Sequence, residues 1–261
     1  MQTEIEILPS SQNQSTELTV SPGFRSQDRS LGVAREIKFL MTEEKAEAIL
    51  ERAGSELSRD PHGELSSGQY DVCSLYLDSP NYEVLYRRSA ASTAKFRLRR
   101  YDRASELFIE RKVRDRGIVS KQRHRLSLEH FDRSLMDECL FLEELLQRQL
   151  LPSCCVQYRR HAFYNPELDN NFRVTVDSNL HVFVFKERTW QDSLRFLNHP
   201  DDYVTSKQTD RSKLLFENWF VVEFKYMNTM PVRLKDWIAQ FQLVPMKFSK
   251  YRTAMVGFDG D

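Results

Sequence analysis

The chain has 261 residues, of which 38 are Lys or Arg and 38 are Asp or Glu, and 40% are hydrophobic. That suits one large β-rich domain, or two small ones, with a sizeable core. A formal net charge of zero excludes generic coating of nucleic acid or membrane, which needs a long-range positive field, but leaves room for a local basic site. No apolar run approaches the about 20 residues needed to span a bilayer. The start, MQTEIEILPSSQNQSTEL, lacks a basic-then-apolar signal segment, so a cytoplasmic protein is expected. The four cysteines, Cys73, Cys139, Cys154 and Cys155, form no C-x-x-C spacing and read as reduced, buried thiols.

Residues 1–31 are rich in Ser, Gln, Thr and Glu and read as a disordered leader, followed by one domain over 32–261. Strand patterning opens with Arg35 to Leu40. Thr42 then offers an N-cap for a helix through Arg52, with Ala46, Ile49 and Leu50 on one stripe. Tyr70 to Leu77 is a strand, and SPNYEVLYRR a turn with one or two helical turns. Ala94 to Tyr101, Leu107 to Val113 and Ile118 to Leu128 are three strands joined by turn-prone residues such as Asp115 and Gly117. Phe131 to Leu151 carries apolar residues at helical spacing. Val156 to Tyr164 and Phe172 to Leu180 are strands, the second extending toward Phe185. Asp192 to Lys213 reads as a mobile polar loop and Leu214 to Met227 as one strong strand. Pro231 starts a helix to Phe241, and a last helix starts near Ser249.

The strand faces carry the chemistry, because residues i and i+2 share a face. Glu36 and Lys38 oppose Ile37 and Phe39. Lys95, Arg97 and Arg99 oppose Phe96 and Leu98. Glu110 and Lys112 oppose Ile109 and Val113. Lys121, Arg123 and Arg125 alternate with less charged residues, and Glu223 and Lys225 oppose Val222, Phe224 and Tyr226. A single such strand is ordinarily the solvated face of a half-exposed sheet. The joint pattern, E-x-K three times and K-x-R-x-R twice, accumulates cations on one face. Cations held together need an anion of high charge density, and phosphate suits both Arg forks and Lys point charges. The few Glu are too sparse to neutralise the set and fit better as ligands for a hard divalent cation bridging phosphate oxygens. His124 and His161 read as structural. Walker A, G-x-G-x-x-G, H-E-x-x-H and G-x-S-x-G patterns are absent.

The succession REIKFL, SLYLDSPNYEVLYRR, KFRLRRY, FIERKV, VSKQR, YRRHAF, RVTVDSNL, VVEFKY and MKFSKYR resembles the VTC domain. That is the catalytic domain of polyphosphate polymerases, within the triphosphate tunnel metalloenzyme (CYTH-like) superfamily. The resemblance implies an α+β fold, an eight-stranded antiparallel β-barrel forming a triphosphate tunnel with flanking helices. It implies ATP and polyphosphate or triphosphate as ligands, Mn or Mg as the metal, and neither nucleic acid nor membrane as partner. Carried over by motif, Lys38 is the first-strand tunnel lysine and Arg97 and Arg99 the R-x-R pair. Lys112 is the lysine of ERK and Lys121 that of the next strand. Tyr158 and Arg160 precede HAF, and Arg173 opens RVTVD. Glu223 is the metal-binding glutamate beside Lys225, with Glu36 or Glu110 as helpers. Lys247, Ser249 and Lys250 form the K-F-S-K ending. Arg97, Arg99, Lys225 and Lys250 would grip the transferring and neighbouring phosphates.

Two departures matter. Hydrolytic members of the superfamily carry E-x-E-x-K on the first strand, whereas here Ala34 stands in place of the first Glu, which favours a polymerase. Fungal relatives carry a His two residues after the ERK lysine, where this chain has Arg114. The chain resembles the bacterial stand-alone form, so neither the phosphate-sensing helical domain nor the membrane helices of the fungal proteins are expected. The expected activity is transfer of the ATP γ-phosphate to polyphosphate. A hydrolase in the same tunnel, a non-catalytic polyphosphate-binding module and a purely structural β-domain are the competing readings.

Overall fold

A computed structural model describes residues 34–60, 68–88, 94–115, 118–131, 135, 139–165, 167, 171–198, 212–215 and 218–257; the leader lies outside them. Strands run β1 Ala34–Thr42, β2 Ser58–Arg59, β3 Gln69–Asp78, β4 Ala94–Tyr101, β5 Glu106–Asp115, β6 Ile118–Ser127, β7 Leu151–Tyr164, β8 Phe172–Val184, β9 Ser212–Leu215 and β10 Trp219–Met227. Helices are α1 Glu43–Glu56, α2 Glu83–Tyr86, α3 Leu142–Gln147, α4 Trp190–Asn198, α5 Val232–Gln240 and α6 Lys250–Val256.

All pairings are antiparallel, in the order β1-β10-β8-β7-β3-β4-β5-β6, with β2 on β7 and β9 on β8. The two ends of that path, β1 and β6, approach each other without pairing. Lys112 on β5 reaches across to Glu36 on β1 at 3.1 Å. The sheet is thus curled into a tunnel-like barrel whose seam is bridged by side chains.

Alternation sorts the residues into three cores. On the convex side, Ile37, Phe39, Met41, Val174, Val176, Val222 and Phe224 meet α1 and α5 through Ala46, Ile49, Leu234 and Trp237. A second convex cluster joins Leu75, Leu77, Phe96, Leu98 and Ile109 to Leu145, Phe196 and Leu197. The third cluster occupies one end of the concave side. There Tyr251, Ala254 and Met255 of α6 pack with Tyr76, Val84, Val156, Tyr158, Leu180 and Val221. The inner face is therefore half apolar, and α6 fills that half.

Several element boundaries differ from the sequence expectation. Asp192 to Lys213 is not simply a loop: Trp190–Asn198 is helical and Ser212–Leu215 is a strand, while 199–211 lie outside the described residues. Thr189 starts α4, its hydroxyl accepting from the Asp192 amide at 3.3 Å, and Phe196 and Leu197 bury into the convex core. Leu214 to Met227 is two strands, broken where Asn218 takes a positive φ of 62°. Among the described residues of Phe131 to Leu151 the regular helix is Leu142–Gln147, and β7 begins already at Leu151. α1 runs past Arg52 to Glu56. Thr42 holds its N-cap position without a side-chain bond.

Candidate functional site: a charged tunnel

The register aligns the charged positions on one concave wall. Lys38 faces Glu223, Glu36 faces Lys225, and beyond them on β8 lie Thr175 and Arg173. On the other side Arg97 faces Glu110, and Lys112 faces Lys121. Tyr158, Arg160 and Asp177 face inward on β7 and β8. Curling brings the two walls together, since Lys112 bonds Glu36.

The glutamates do more neutralising than the sequence suggested. Glu223 contacts Lys225 at 2.5 Å and Lys38 at 3.2 Å. Glu36 contacts Lys38 at 2.8 Å, Lys112 at 3.1 Å and Lys225 at 3.9 Å. Burial and Glu223 push Glu36 up, but Lys225, Lys38 and Lys112 outweigh them and hold it at about 2. Glu223 is likewise held well below the ordinary range: burial opposes ionisation, and Lys225, Lys38 and Lys250 overcome it. Both are ionised at neutral pH, and they sit close enough to raise one another. Lys38, caught between them, is raised in spite of burial.

Glu110 belongs to a separate cluster. One of its oxygens accepts from Arg97 at 2.6 Å and the other from Lys121 at 2.6 Å, with Arg99 at 3.7 Å. Arg99 also donates to Ser74 and Tyr158. Glu110 is 1% exposed, and Arg97, Arg99 and Lys121 keep it ionised against the cost of burial. Both its oxygens are engaged by cations, as are those of Glu36 and Glu223, but Glu110 stands among arginines on the opposite wall and not beside a second carboxylate.

Other expected grippers are already occupied. Arg160 forms a two-pronged bond to Asp177 at 2.6 and 2.8 Å, and Lys250 donates to the same carboxylate at 2.6 Å. Arg173 contacts Asp60 at 2.8 Å and Tyr70 at 3.2 Å. Ser249 caps α6, accepting from the Arg252 amide at 3.5 Å. Lys247 is exposed on the approach to α6. The sequence reading missed Asp177 and Asp60. Asp177 was legible, because Arg173, Thr175 and Asp177 share one face of β8 by simple alternation. The side chain of Arg114 lies outside the described residues.

Among the described residues no three His, Cys, Asp or Glu gather as a cation cage. The donor set present is the adjacent ionised pair Glu36 and Glu223. Across the ladder from Glu223 is Thr175, whose buried hydroxyl oxygen has no hydrogen-bond partner. Two hard carboxylates fit a Mg or Mn ion that completes its shell with phosphate oxygens and water, since such ions are ordinarily held by one or two carboxylates plus substrate phosphates.

No helix is long and apolar enough to cross a membrane among the described residues. All four cysteines are free; Cys73 and Cys155 place their sulfurs 3.0 Å apart on the convex side.

No curated protein matches the chain. Among solved structures, a candidate adenylate cyclase from Bacillus halodurans has a TM-score of 0.51 at 12% identity, covering 85% of this chain and 96% of that one. A candidate adenylyl cyclase from Hippeastrum with a dominant triphosphatase activity has a TM-score of 0.47 at 12% identity, covering 87% and 96%. Such identities speak for the fold alone. A family model described as VTC domain matches residues 33–258, which spans every strand of the curled sheet and the charged inner wall. The chain belongs to the VTC domain family, within the triphosphate tunnel fold.

Proposed function

We propose that this chain transfers the γ-phosphoryl group of ATP to the end of a polyphosphate chain and releases ADP. The observation that carries the reading is the ionised pair Glu36 and Glu223 set among Lys38, Lys112 and Lys225, facing the Arg97, Arg99 and Lys121 cluster across a curled sheet. The bond from the γ-phosphorus to the β–γ bridging oxygen breaks, and a terminal oxygen of the acceptor chain bonds to that phosphorus. The acceptor oxygen is already anionic, so the step needs no general base. It needs in-line positioning and neutralisation of charge on the transferring oxygens. Lys38, Lys112, Lys225, Arg97, Arg99 and Lys121 supply that charge from fixed strand positions, exchanging their carboxylates for phosphate as the ligand enters. Glu36 and Glu223 would hold Mn or Mg, which when bound would supply Lewis-acid neutralisation of phosphate charge. Ala34, in place of a further acid on β1, leaves the smaller acidic set, which favours an acceptor phosphate over activated water.

The test is incubation of the protein with ATP and Mn. Long polyphosphate should appear with ADP in matching amount. Free phosphate without polymer would replace this reading with a triphosphatase. Glu223→Gln should lower metal-dependent turnover by about 100-fold or more, the usual scale for losing one preorganised electrostatic group. A wild-type rate in that variant removes Glu223 from the site.

A further inference from the structure

The ladder places three lysines in one row. Lys95 on β4 lies opposite Lys112 on β5, which lies opposite Lys121 on β6. Directly opposed residues sit about 4.5–5.5 Å apart, and like charges there repel. Two members of the row are offset, Lys112 by Glu36 at 3.1 Å and Lys121 by Glu110 at 2.6 Å. Lys95 pairs with no carboxylate among the described residues. The charges that act on it most strongly are cations from four elements: Lys112 on β5, Lys38 on β1, Arg87 at the end of α2 and Arg252 on α6. Arg87 and Arg252 likewise form no ion pair among the described residues. Burial, then those four neighbours, pull the Lys95 ammonium down to about 8. The fold thus keeps a half-buried cation among cations, an arrangement that costs stability unless an anion joins it.

We propose that Lys95, with Arg87 and Arg252, forms a further phosphoryl-binding subsite on the α6 side of the tunnel that engages phosphates of a long chain and not those of a triphosphate. The subsite rests on the phosphate-tunnel reading above and deepens it by assigning chain-length preference to one row of the wall. Each phosphate of a polyanion carries charge, so extra units can reach cations that the Glu36–Glu223 cluster leaves unused. Arg keeps its charge and matches phosphate geometry, so Arg at position 95 preserves the subsite, whereas Met keeps the apolar stem and removes the charge.

The experiment measures binding of inorganic tripolyphosphate, ATP and long-chain polyphosphate to wild type, Lys95→Met and Lys95→Arg by calorimetry. Lys95→Met should weaken long-chain binding about tenfold, the scale of one charge-assisted hydrogen bond. It should leave tripolyphosphate and ATP nearly unchanged, and Lys95→Arg should restore the difference. Thermal melts provide the folding control. Ligand-free Lys95→Met should melt at or above the wild-type temperature, because it removes a repelled cation. A lower melting temperature, or equal weakening of all three ligands, overturns the proposal. A wild type that binds all three with Lys95→Met unaffected sinks only the subsite, whereas a wild type that binds none sinks the tunnel reading itself.

Discussion

At the residue scale, the concave wall is organised by carboxylates shared between cations. Asp177 is completely buried and serves Arg160 and Lys250 at once. Burial pushes its carboxyl up, but the two cations outweigh that and hold it at about 2, against an ordinary 3.8. A depressed carboxylate contributes stability that is fully present above about pH 4 and lost as pH falls toward 2. From the shift the contribution is about 2 kcal/mol. Asp177→Asn should therefore destabilise the protein at pH 7, by about 3–5 kcal/mol once two buried cations lose their counter-ion. It should also flatten the loss of stability between pH 4 and 2. Urea unfolding of both proteins across that range checks both effects; a variant with the wild-type acid limb disproves the assignment. The inner glutamates were legible from strand alternation. Their pairing with Lys38 and Lys225 two residues on was within reach of the same rule, but the bond from Lys112 to Glu36 was not, because alternation fixes a face and says nothing about which side chains meet across a seam. Glu110 shows the consequence. Its E-x-K spacing is the same as at Glu36 and Glu223, yet its partners are Arg97 and Arg99 on β4 and Lys121 on β6.

At the element scale, the most specific-looking stretch of sequence is a latch. In SLYLDSPNYEVLYRR, Asp78 is fully buried and accepts from the amides of Ser79 at 2.8 Å, Val84 at 3.0 Å and Leu85 at 3.0 Å. Its other tie is the Tyr251 hydroxyl on α6 at 2.6 Å. Arg188 closes the same corner, lying over the Tyr82 ring at 4.4 Å and donating to the carbonyls of Ser79, Leu151 and Pro152. One carboxylate thus joins β3, α2 and α6, and α6 is the element that brings Lys250 and Arg252 to the wall. Tyr251→Phe keeps the ring, which stacks on Tyr76 at 5.4 Å, and removes one bond to a charged acceptor. It should cost about 1.5–3 kcal/mol and speed amide exchange in α6 more than in β3. Uniform exchange changes would deny the latch. Strand elements were readable because a period of two survives in both one-faced and two-faced strands. α4 was missed because its apolar positions, Trp190, Leu194, Phe196 and Leu197, span little more than two turns and run straight into a polar stretch. The long helix expected over Phe131 to Leu151 gave way at its end because β7 recruits Leu151 to Ser153 into the sheet beside β3.

At the scale of the whole molecule, zero net charge hides a segregation: the convex side is closed by apolar clusters, and charge of both signs is gathered on part of the concave side. The barrel is not closed by backbone bonds between β1 and β6, so its seam depends on contacts such as Lys112 to Glu36. On the proposed function, an entering triphosphate would offer these lysines a denser anion and tie both walls to one ligand. Binding should then close the seam and stabilise the fold together. At about 100 times its dissociation constant a ligand adds about 2.7 kcal/mol, or a melting shift of about 5–10 °C for a domain of this size. Tripolyphosphate with Mn should produce that shift, accompanied by slower amide exchange at the β1 and β6 edges. At 1 M salt the screening length falls to about 3 Å, so the shift should shrink for a fixed ligand concentration. A shift that resists salt, or protection confined to other strands, would mean that the anion binds somewhere other than between these walls. The seam is where the two effects must coincide, because it is the one boundary of the eight-strand path that side chains rather than backbone bonds hold.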